Sequence, residues 1–136
     1  MSIRFEGLDD VLESIDSIAN TEKLNQALGK ACALVERSAK INAPKDNGAL
    51  RRSITSKVEN NIGIVYTPLE YAPYVEFGTG LFAETEGRKD VPWCYQDDED
   101  KWHTTSGQHP QPFLRPALND NRTKIVRIIK EGISSD

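Results

Sequence analysis

One uninterrupted helical period runs through the first third of the chain and constrains the fold more than any other feature. Apolar residues recur about every 3.6 positions between an N-cap signal at Asn20 or Thr21 and a stop at Pro44. The stripe comprises Leu24, Leu28, Ala31, Val35 and Ser38, with Ala27, Leu34 and Ile41 beside it. Small residues such as Ala27, Gly29 and Ala39 allow close approach to a sheet. We therefore predict a long helix that forms the spine of the fold.

Amphipathic helices are predicted on both sides of this spine. Upstream, apolar residues recur at helical spacing from Leu8 to Ala19, with acidic residues on the opposite face. Downstream, a last helix should begin near Pro112 or Pro116, since proline is tolerated in a first turn, and should fray or end at Gly132. Its apolar side carries Leu114, Leu118, Ile125, Ile128, Ile129 and Ile133, and its opposite side carries Arg122, Lys124, Arg127 and Lys130.

A β-hairpin is predicted just after the spine. Residues 45–48, with the sequence KDNG, are a turn signal that changes the direction of the chain. Ser53–Val58 alternates in part, and Ile62–Thr67 is rich in β-branched and aromatic residues. Because Asn60 and Asn61 favour a tight turn, these two stretches should pair as neighbouring strands.

The middle of the chain carries weaker signals. Tyr71–Phe77 is predicted to be a short strand or a turn-rich segment, and Pro73 restricts it to an edge or an irregular piece. From Leu81 to Pro112 the sequence is polar and interrupted by glycine and proline. Within it, Val91–Tyr95 and Lys101–Thr105 are predicted to pair around the acidic run at 97–100, because their aromatic residues favour pleated surfaces.

Together these elements predict an α+β fold. The long helix and the C-terminal helix should pack on one face of a small antiparallel sheet. A length of 136 residues lies within the range of a single domain, so we predict one domain over 1–136. Residues 81–111 would form an extended loop or hairpin inserted into it.

The charge balance excludes some classes of function. Acidic residues outnumber basic ones by 21 to 17, and the formal net charge is −4. This argues against a dedicated DNA-binding protein, because such affinity comes mainly from Lys and Arg. The N-terminus lacks a secretory signal pattern, no apolar run is long enough to span a bilayer, and the distant Cys32 and Cys94 suggest no disulfide framework. We expect the chain to be made and used in a cytoplasm.

Residues with metal-binding or catalytic chemistry are present, but their spacing fits no recognised site. Cys94, His103 and His109 do not match a closed zinc motif, and the acidic run lacks the ligand pattern of a calcium loop. The glycines after Glu76 are not spaced as in a phosphate loop, and no elbow motif surrounds a candidate nucleophilic serine. A solvated hairpin tip and ordinary turn geometry are the preferred interpretations, so we predict no cofactor and no bound metal.

Three segments in a fixed order carry a resemblance to a known family. They are APKDNGALRRSI at 43–54, YAPYVEFGTG at 71–80 and PQPFLRPAL at 110–118. In this order and at these spacings they resemble the family of the gene-ten product of the Hong Kong coliphage, a head-tail joining or neck protein of long-tailed phages, also called a tail-completion or minor tail protein. The resemblance spans nearly the whole chain. The family commonly has Thr where this chain has Asn47, a mild departure in a turn.

The resemblance implies a structural virion subunit and no catalysis. Such a subunit lies between the head connector and the tail, as a homo-oligomeric ring around the DNA channel, and is assembled in the cytoplasm of a bacterial host. Its partners would be copies of itself, the phage head-completion or connector proteins, and a tail terminator or tail tube protein. DNA would pass nearby without specific binding, and no membrane would be involved.

Six residues are candidates for contacts between subunits, because aromatic side chains are enriched at protein interfaces. They are Tyr74, Glu76 and Phe77 in the second segment, and Trp93, Trp102 and His103 in the predicted hairpin. The sequence leaves open two alternative functions of other classes. One is a small phage-encoded nucleic-acid-associated or metal-dependent enzyme, and the other is a regulatory binding module.

Overall fold

The computed structural model describes residues 1–5, 18–84 and 91–134 of the chain. The chain consists of two compact units. The first unit contains Met1–Leu69 and Phe113–Asp136, and the second contains Glu70–Pro112. The predicted α+β class is confirmed, since helices occur together with small antiparallel sheets. The organisation as one domain with an insertion at 81–111 stays a prediction. None of the described helices is long and apolar enough to cross a membrane.

The spine of the first unit is helix α1, Ile18–Asn42. Its apolar stripe is almost completely buried, including Leu24, Leu28, Ala31 and Val35. The helix ends two residues before Pro44, as predicted, because proline disfavours helical geometry in the residue before it. The predicted start at Asn20 or Thr21 is wrong, since α1 begins at Ile18 and both residues lie inside it. Residues 8–17 of the helix predicted upstream lie outside the described part of the chain.

A three-stranded antiparallel sheet packs on α1. Its strands are β1 (Ser2–Phe5), β2 (Thr55–Glu59) and β3 (Ile62–Tyr66), in the order β1-β3-β2, and α1 contacts β2 and β3. The predicted hairpin is confirmed, with Asn60 and Asn61 at φ values of 50° and 63° in its turn. Strand β1 was not predicted, because four residues give too short an alternation to recognise. It pairs with β3 so that Ile3 lies opposite the fully buried Val65.

A short helix, α2 (Gly48–Ser53), lies between the spine and the hairpin. The turn predicted at 45–48 is present, with the Asn47 N–H donating to the Pro44 carbonyl at 3.1 Å. Asn47 then caps α2, because its side-chain oxygen accepts from the Leu50 N–H at 3.1 Å. The prediction that a strand begins at Ser53 is therefore wrong. Capping and the complete burial of Leu50 favour a helix there.

The second unit contains one short helix, one 3-10 turn and a two-stranded hairpin. They are α3 (Ala72–Phe77), the turn Gly80–Phe82, β4 (Trp93–Gln96) and β5 (Trp102–Thr105). The predicted β4–β5 hairpin is confirmed, with Tyr95 opposite His103. The prediction of a strand or turn-rich segment over Tyr71–Phe77 is wrong, because Pro73 occupies the first turn of a helix, where its missing N–H has no cost.

The single C-terminal helix of the prediction is divided into α4 (Leu114–Asn119) and α5 (Arg122–Ser134). Asn121 lies at the break, where its side-chain amide donates to the Ala117 carbonyl at 2.7 Å and to the Ser38 hydroxyl of α1 at 3.1 Å. The expected end of the helix at Gly132 is also wrong. A Cβ there would lie 2.7 Å from the Ala27 Cβ, so this glycine lets α5 continue in close contact with α1.

Gly132→Ala should destabilise the protein by about 1–3 kcal/mol, because the added methyl group overpacks the α1–α5 contact at Ala27. Gly29→Ala is the matched control, since Gly29 is also inside a helix but a Cβ there meets nothing within 4 Å. That control should stabilise the protein by roughly 0.5–1 kcal/mol through helix propensity. Urea denaturation followed by circular dichroism measures both changes. Equal stabilisation by the two substitutions would contradict the packing role of Gly132.

Candidate assembly surface

The two units differ in how much apolar core they contain. Of the 18 apolar residues that are buried in the described part of the chain, 17 belong to the first unit. Ala72 is the single one in the second unit. Burial of apolar surface is the main force that stabilises a folded unit. The second unit therefore has little hydrophobic stabilisation from its own residues.

Exposed apolar side chains show the opposite distribution. Eight large ones are exposed in the described residues, and six of them belong to the second unit: Tyr71, Tyr74, Leu81, Phe82, Tyr95 and Trp102. The first unit contributes Ile41 and Val126. Clustered exposed aromatic residues mark interaction surfaces, whereas scattered ones do not. The second unit is thus the candidate assembly surface of the chain.

Backbone hydrogen bonds, rather than a core, hold the base of the β4–β5 hairpin. The Leu81 N–H donates to the Ser106 carbonyl, and the Thr79 N–H donates to the Gln108 carbonyl, both at 2.9 Å. Gly80 and Gly107 make this approach possible, since each has a positive φ and a Cβ on either would overlap a carbonyl of the facing segment. Turn geometry therefore accounts for these glycines.

The strand register places side chains on two faces of the hairpin. One face carries Trp93, Tyr95, His103 and Thr105, and the other carries Cys94, Gln96, Trp102 and Thr104. On the first face the rings of Tyr95 and His103 stack with their centroids 5.2 Å apart. On the second face Trp102 is 70% exposed, although tryptophan has a large apolar area to bury. The hairpin presents aromatic surface to solvent on both sides.

Asp97 organises the tip of the hairpin. Its Oδ1 accepts hydrogen bonds from the backbone N–H groups of Glu99 and Lys101 at 2.8 and 3.0 Å. Its Oδ2 lies 2.6 Å from His103 Nε2. The bond with His103, and after it the bond from the Lys101 backbone, hold the pKa of the Asp97 carboxyl below its usual value. The Asp97 carboxylate therefore adds three contacts to the backbone hydrogen bonds of the tip.

The six residues proposed for subunit contacts all lie in the second unit, in two places. Tyr74 on α3 is 59% exposed, and Phe77 follows on the same helix with partial burial. Glu76 lies between them and is fully buried within the chain. In the hairpin, Trp102 and His103 are exposed and Trp93 is half-buried. Whether any of them contacts a partner stays a prediction.

Sequence reasoning missed four exposed members of the surface: Tyr71, Leu81, Phe82 and Tyr95. Leu81 and Phe82 follow Gly80 outside any helical or strand period, so nothing in the pattern predicted whether they would be buried. Tyr95 could have been found from the alternation of β4, because it lies on the same face as Trp93.

The candidate metal and nucleophile residues are not brought together. Cys94 and His103 lie on opposite faces of the hairpin, and no group of three or more His, Cys, Asp or Glu residues in the described ranges could hold a metal ion. Ser53 Oγ lies 2.6 Å from both the Leu50 carbonyl oxygen and Thr67 Oγ1. The Ser53 hydroxyl is therefore engaged in hydrogen bonds that support the fold. Burial raises the pKa of the Cys32 thiol to about 11, so this thiol stays protonated near neutral pH.

A family comparison decides the broad assignment. The sequence model of the HK97-gp10-like family, described as "Bacteriophage HK97-gp10, putative tail-component", matches residues 7–78. The chain belongs to this family. The match covers just over half of the chain and confirms the resemblance found in the sequence. Searches of curated proteins and of solved structures found no match.

The family assignment makes the protein a phage tail component, with a structural role in the virion. The matched residues include the described helices α1, α2 and α3 and the β2–β3 hairpin. They end at Gly78, before the β4–β5 hairpin and the two C-terminal helices. The most exposed part of the assembly surface therefore lies outside the matched range.

Acid should open the hairpin tip by protonating Asp97. The pKa of Asp97 is lower in the folded chain than in the unfolded one. The ionised Asp97 carboxylate therefore stabilises the fold fully above the usual carboxyl pKa of about 4. This stabilisation is lost as the pH falls through the lower pKa of the folded chain. In an NMR titration, the Asp97 carboxyl carbon and the Glu99 and Lys101 amides should shift together below pH about 4. Asp97→Asn should abolish this transition. Titration of Asp97 at the usual value would contradict the predicted network.

Proposed function

We propose that this tail component is a neck or tail-completion subunit, copies of which form a ring around the DNA channel and join the phage head to the tail. The observation that supports this most directly is the second unit, whose described residues expose six large apolar side chains and bury a single apolar one, Ala72. An arrangement of this kind is typical of a surface that is completed by neighbouring subunits.

The charge distribution fits a conduit for DNA. The whole chain has a formal charge of −4, and the second unit contains nine acidic and three basic residues. A surface that lines a channel must let the duplex pass, and acidic side chains do not neutralise phosphates. We therefore propose that DNA passes the ring without specific binding.

The proposed partners follow from this placement. One edge of the ring would engage the head-completion or connector proteins, and the other edge would engage a tail terminator or tail tube protein. Each copy would also contact other copies of the chain, with Tyr74, Trp102 and His103 as the exposed candidates. Glu76 is left out of this contact set because its side chain is buried within the chain. Assembly would take place in the cytoplasm of the bacterial host.

An early stop codon in this gene of an inducible phage should give separate DNA-filled heads and separate tails, because the joining subunit would be missing. Electron microscopy of induced lysates would count joined and unjoined particles, and a plasmid copy of the intact gene should restore joining. Normal infectious particles without the gene product would refute the joining role. Heads that lack DNA, or absent tails, would place the protein at an earlier step of assembly.

Trp102→Ala should lower complementation of this stop-codon phage by on the order of tenfold or more, as expected for loss of a buried aromatic residue at an interface. Ile41→Ala is the control, because Ile41 in the first unit is 71% exposed and Trp102 is 70% exposed. Both variants should unfold within about 0.5 kcal/mol of the wild type, since neither side chain is in the core. Equal complementation by both variants would argue against an assembly role for the hairpin.

A further inference from the structure

Charge is segregated between the two units of the chain. The second unit contains nine acidic and three basic residues, so its formal charge is −6. The first unit contains 12 acidic and 14 basic residues, so its formal charge is +2. Two copies of such a chain attract each other when the second unit of one meets the first unit of the other.

The acidic charge of the second unit is concentrated at the hairpin tip. Four acidic residues occupy 97–100, and Asp98, Glu99 and Asp100 are all exposed. Glu99 lies 3.4 Å from Lys101, with both side chains more than 70% exposed, so this pair neutralises little. Trp102 is the first residue of β5 and comes directly after Lys101. An apolar anchor is thus placed beside a negatively charged rim.

The outward face of α5 has the complementary chemistry. Lys124, Arg127 and Lys130 are exposed, and none of them forms an ion pair with a described residue. Val126 is 41% exposed and lies four residues before Lys130, so the two share one stripe of the helix. The inward face of the same helix is occupied, since Ile125 and Ile129 are buried. The exposed side of α5 therefore carries Val126 next to Lys130, with Arg127 further around the helix, and these two cations form no ion pair within the described part of the chain.

We propose that the β4–β5 hairpin of one copy docks on the outward face of α5 of the neighbouring copy. Trp102 packs against Val126, and the carboxylates of the hairpin tip face Arg127 and Lys130. A fully apolar centre supplies affinity, and the surrounding charges supply register and association rate. This contact rests on the proposed function, because it provides the interface that repeats around the ring.

The contact is heterologous, since each copy uses two different surfaces. A heterologous contact gives a closed ring when the rotation from one copy to the next adds up to a full turn, and a conduit requires such a ring. DNA is the less suitable occupant of α5, because this helix carries four basic residues in a chain that is acidic as a whole. A second copy instead brings a matching negative surface in every subunit.

Charge reversal on each surface tests the contact with the full-length chain. The hairpin variant is Asp98→Lys/Glu99→Lys, which leaves the tip organiser Asp97 and the positive-φ residue Asp100 unchanged. The helix variant is Arg127→Glu/Lys130→Glu. A third chain combines all four substitutions. Controls with the same charge changes at exposed sites elsewhere are Glu22→Lys/Asp46→Lys and Lys30→Glu/Lys45→Glu.

Sedimentation velocity of the purified chains and complementation of the stop-codon phage are the two measurements, with thermal unfolding to show that every variant is folded. The hairpin variant and the helix variant each change one surface and are called single-surface variants. Each should associate on the order of 100-fold more weakly than the wild type, because the hairpin tip and α5 then carry charges of the same sign. The combined chain should recover association and complementation. A mixture of the two single-surface variants should also recover, since each offers the other a complementary surface. The controls should behave as the wild type.

Several outcomes would overturn the contact. One is a single-surface variant that matches the wild type in both measurements, and another is a combined chain that recovers no better than its parents. A defect in the helix variant alone would assign α5 to DNA or to another protein. Joined infectious particles without any gene product would instead refute the proposed function, and the sedimentation result would still decide the contact between copies.

Discussion

The burial of α1 on more than one side is the constraint on which the first unit depends. The sheet covers it through β2 and β3, and α4 and α5 cover it elsewhere. The second contact is unusually close, because Gly132 of α5 lies against Ala27 of α1 with no room for another methyl group. Asn121 then fixes the direction in which α5 leaves α4 by bonding both Ala117 and Ser38. A helix with so many small residues stabilises the unit only if its neighbours approach this closely.

The sequence predicted those parts of the fold that carry a long or repeated signal. The spine, its stop before Pro44, and both hairpins were found, because periodicity and turn residues are local properties. The errors arose where a residue has two structural uses. Pro73 restricts a strand but also starts a helix, and Gly132 ends many helices but here permits a close contact. The strand β1 depends on its pairing with β3, which the local sequence does not reveal.

The six residues predicted for subunit contacts differ in their exposure, and their contact role stays a prediction. Tyr74, Trp102 and His103 are exposed as a contact role requires, whereas Glu76 is buried. Aromatic side chains occur both in cores and at interfaces, so residue type alone does not separate the two. What separates them here is that Ala72 is the single buried apolar residue among the described residues of the second unit. The family comparison stops at Gly78 and does not address the hairpin.

The hydrogen bonds of Asp97 have a consequence for how the hairpin can vary. The Asp97 carboxylate accepts from two backbone N–H groups of the turn and contacts His103, and backbone bonds between Asp97 and Lys101 and between Asp100 and Asp97 hold the same turn. The side chains of Asp98 and Glu99 are exposed and are not among the groups that bond the Asp97 carboxylate. Shape and charge are therefore encoded by different residues. A change of charge at these two positions leaves the Asp97 side-chain bonds in place, and a tip whose turn is already hydrogen-bonded loses little conformational entropy when it binds a partner.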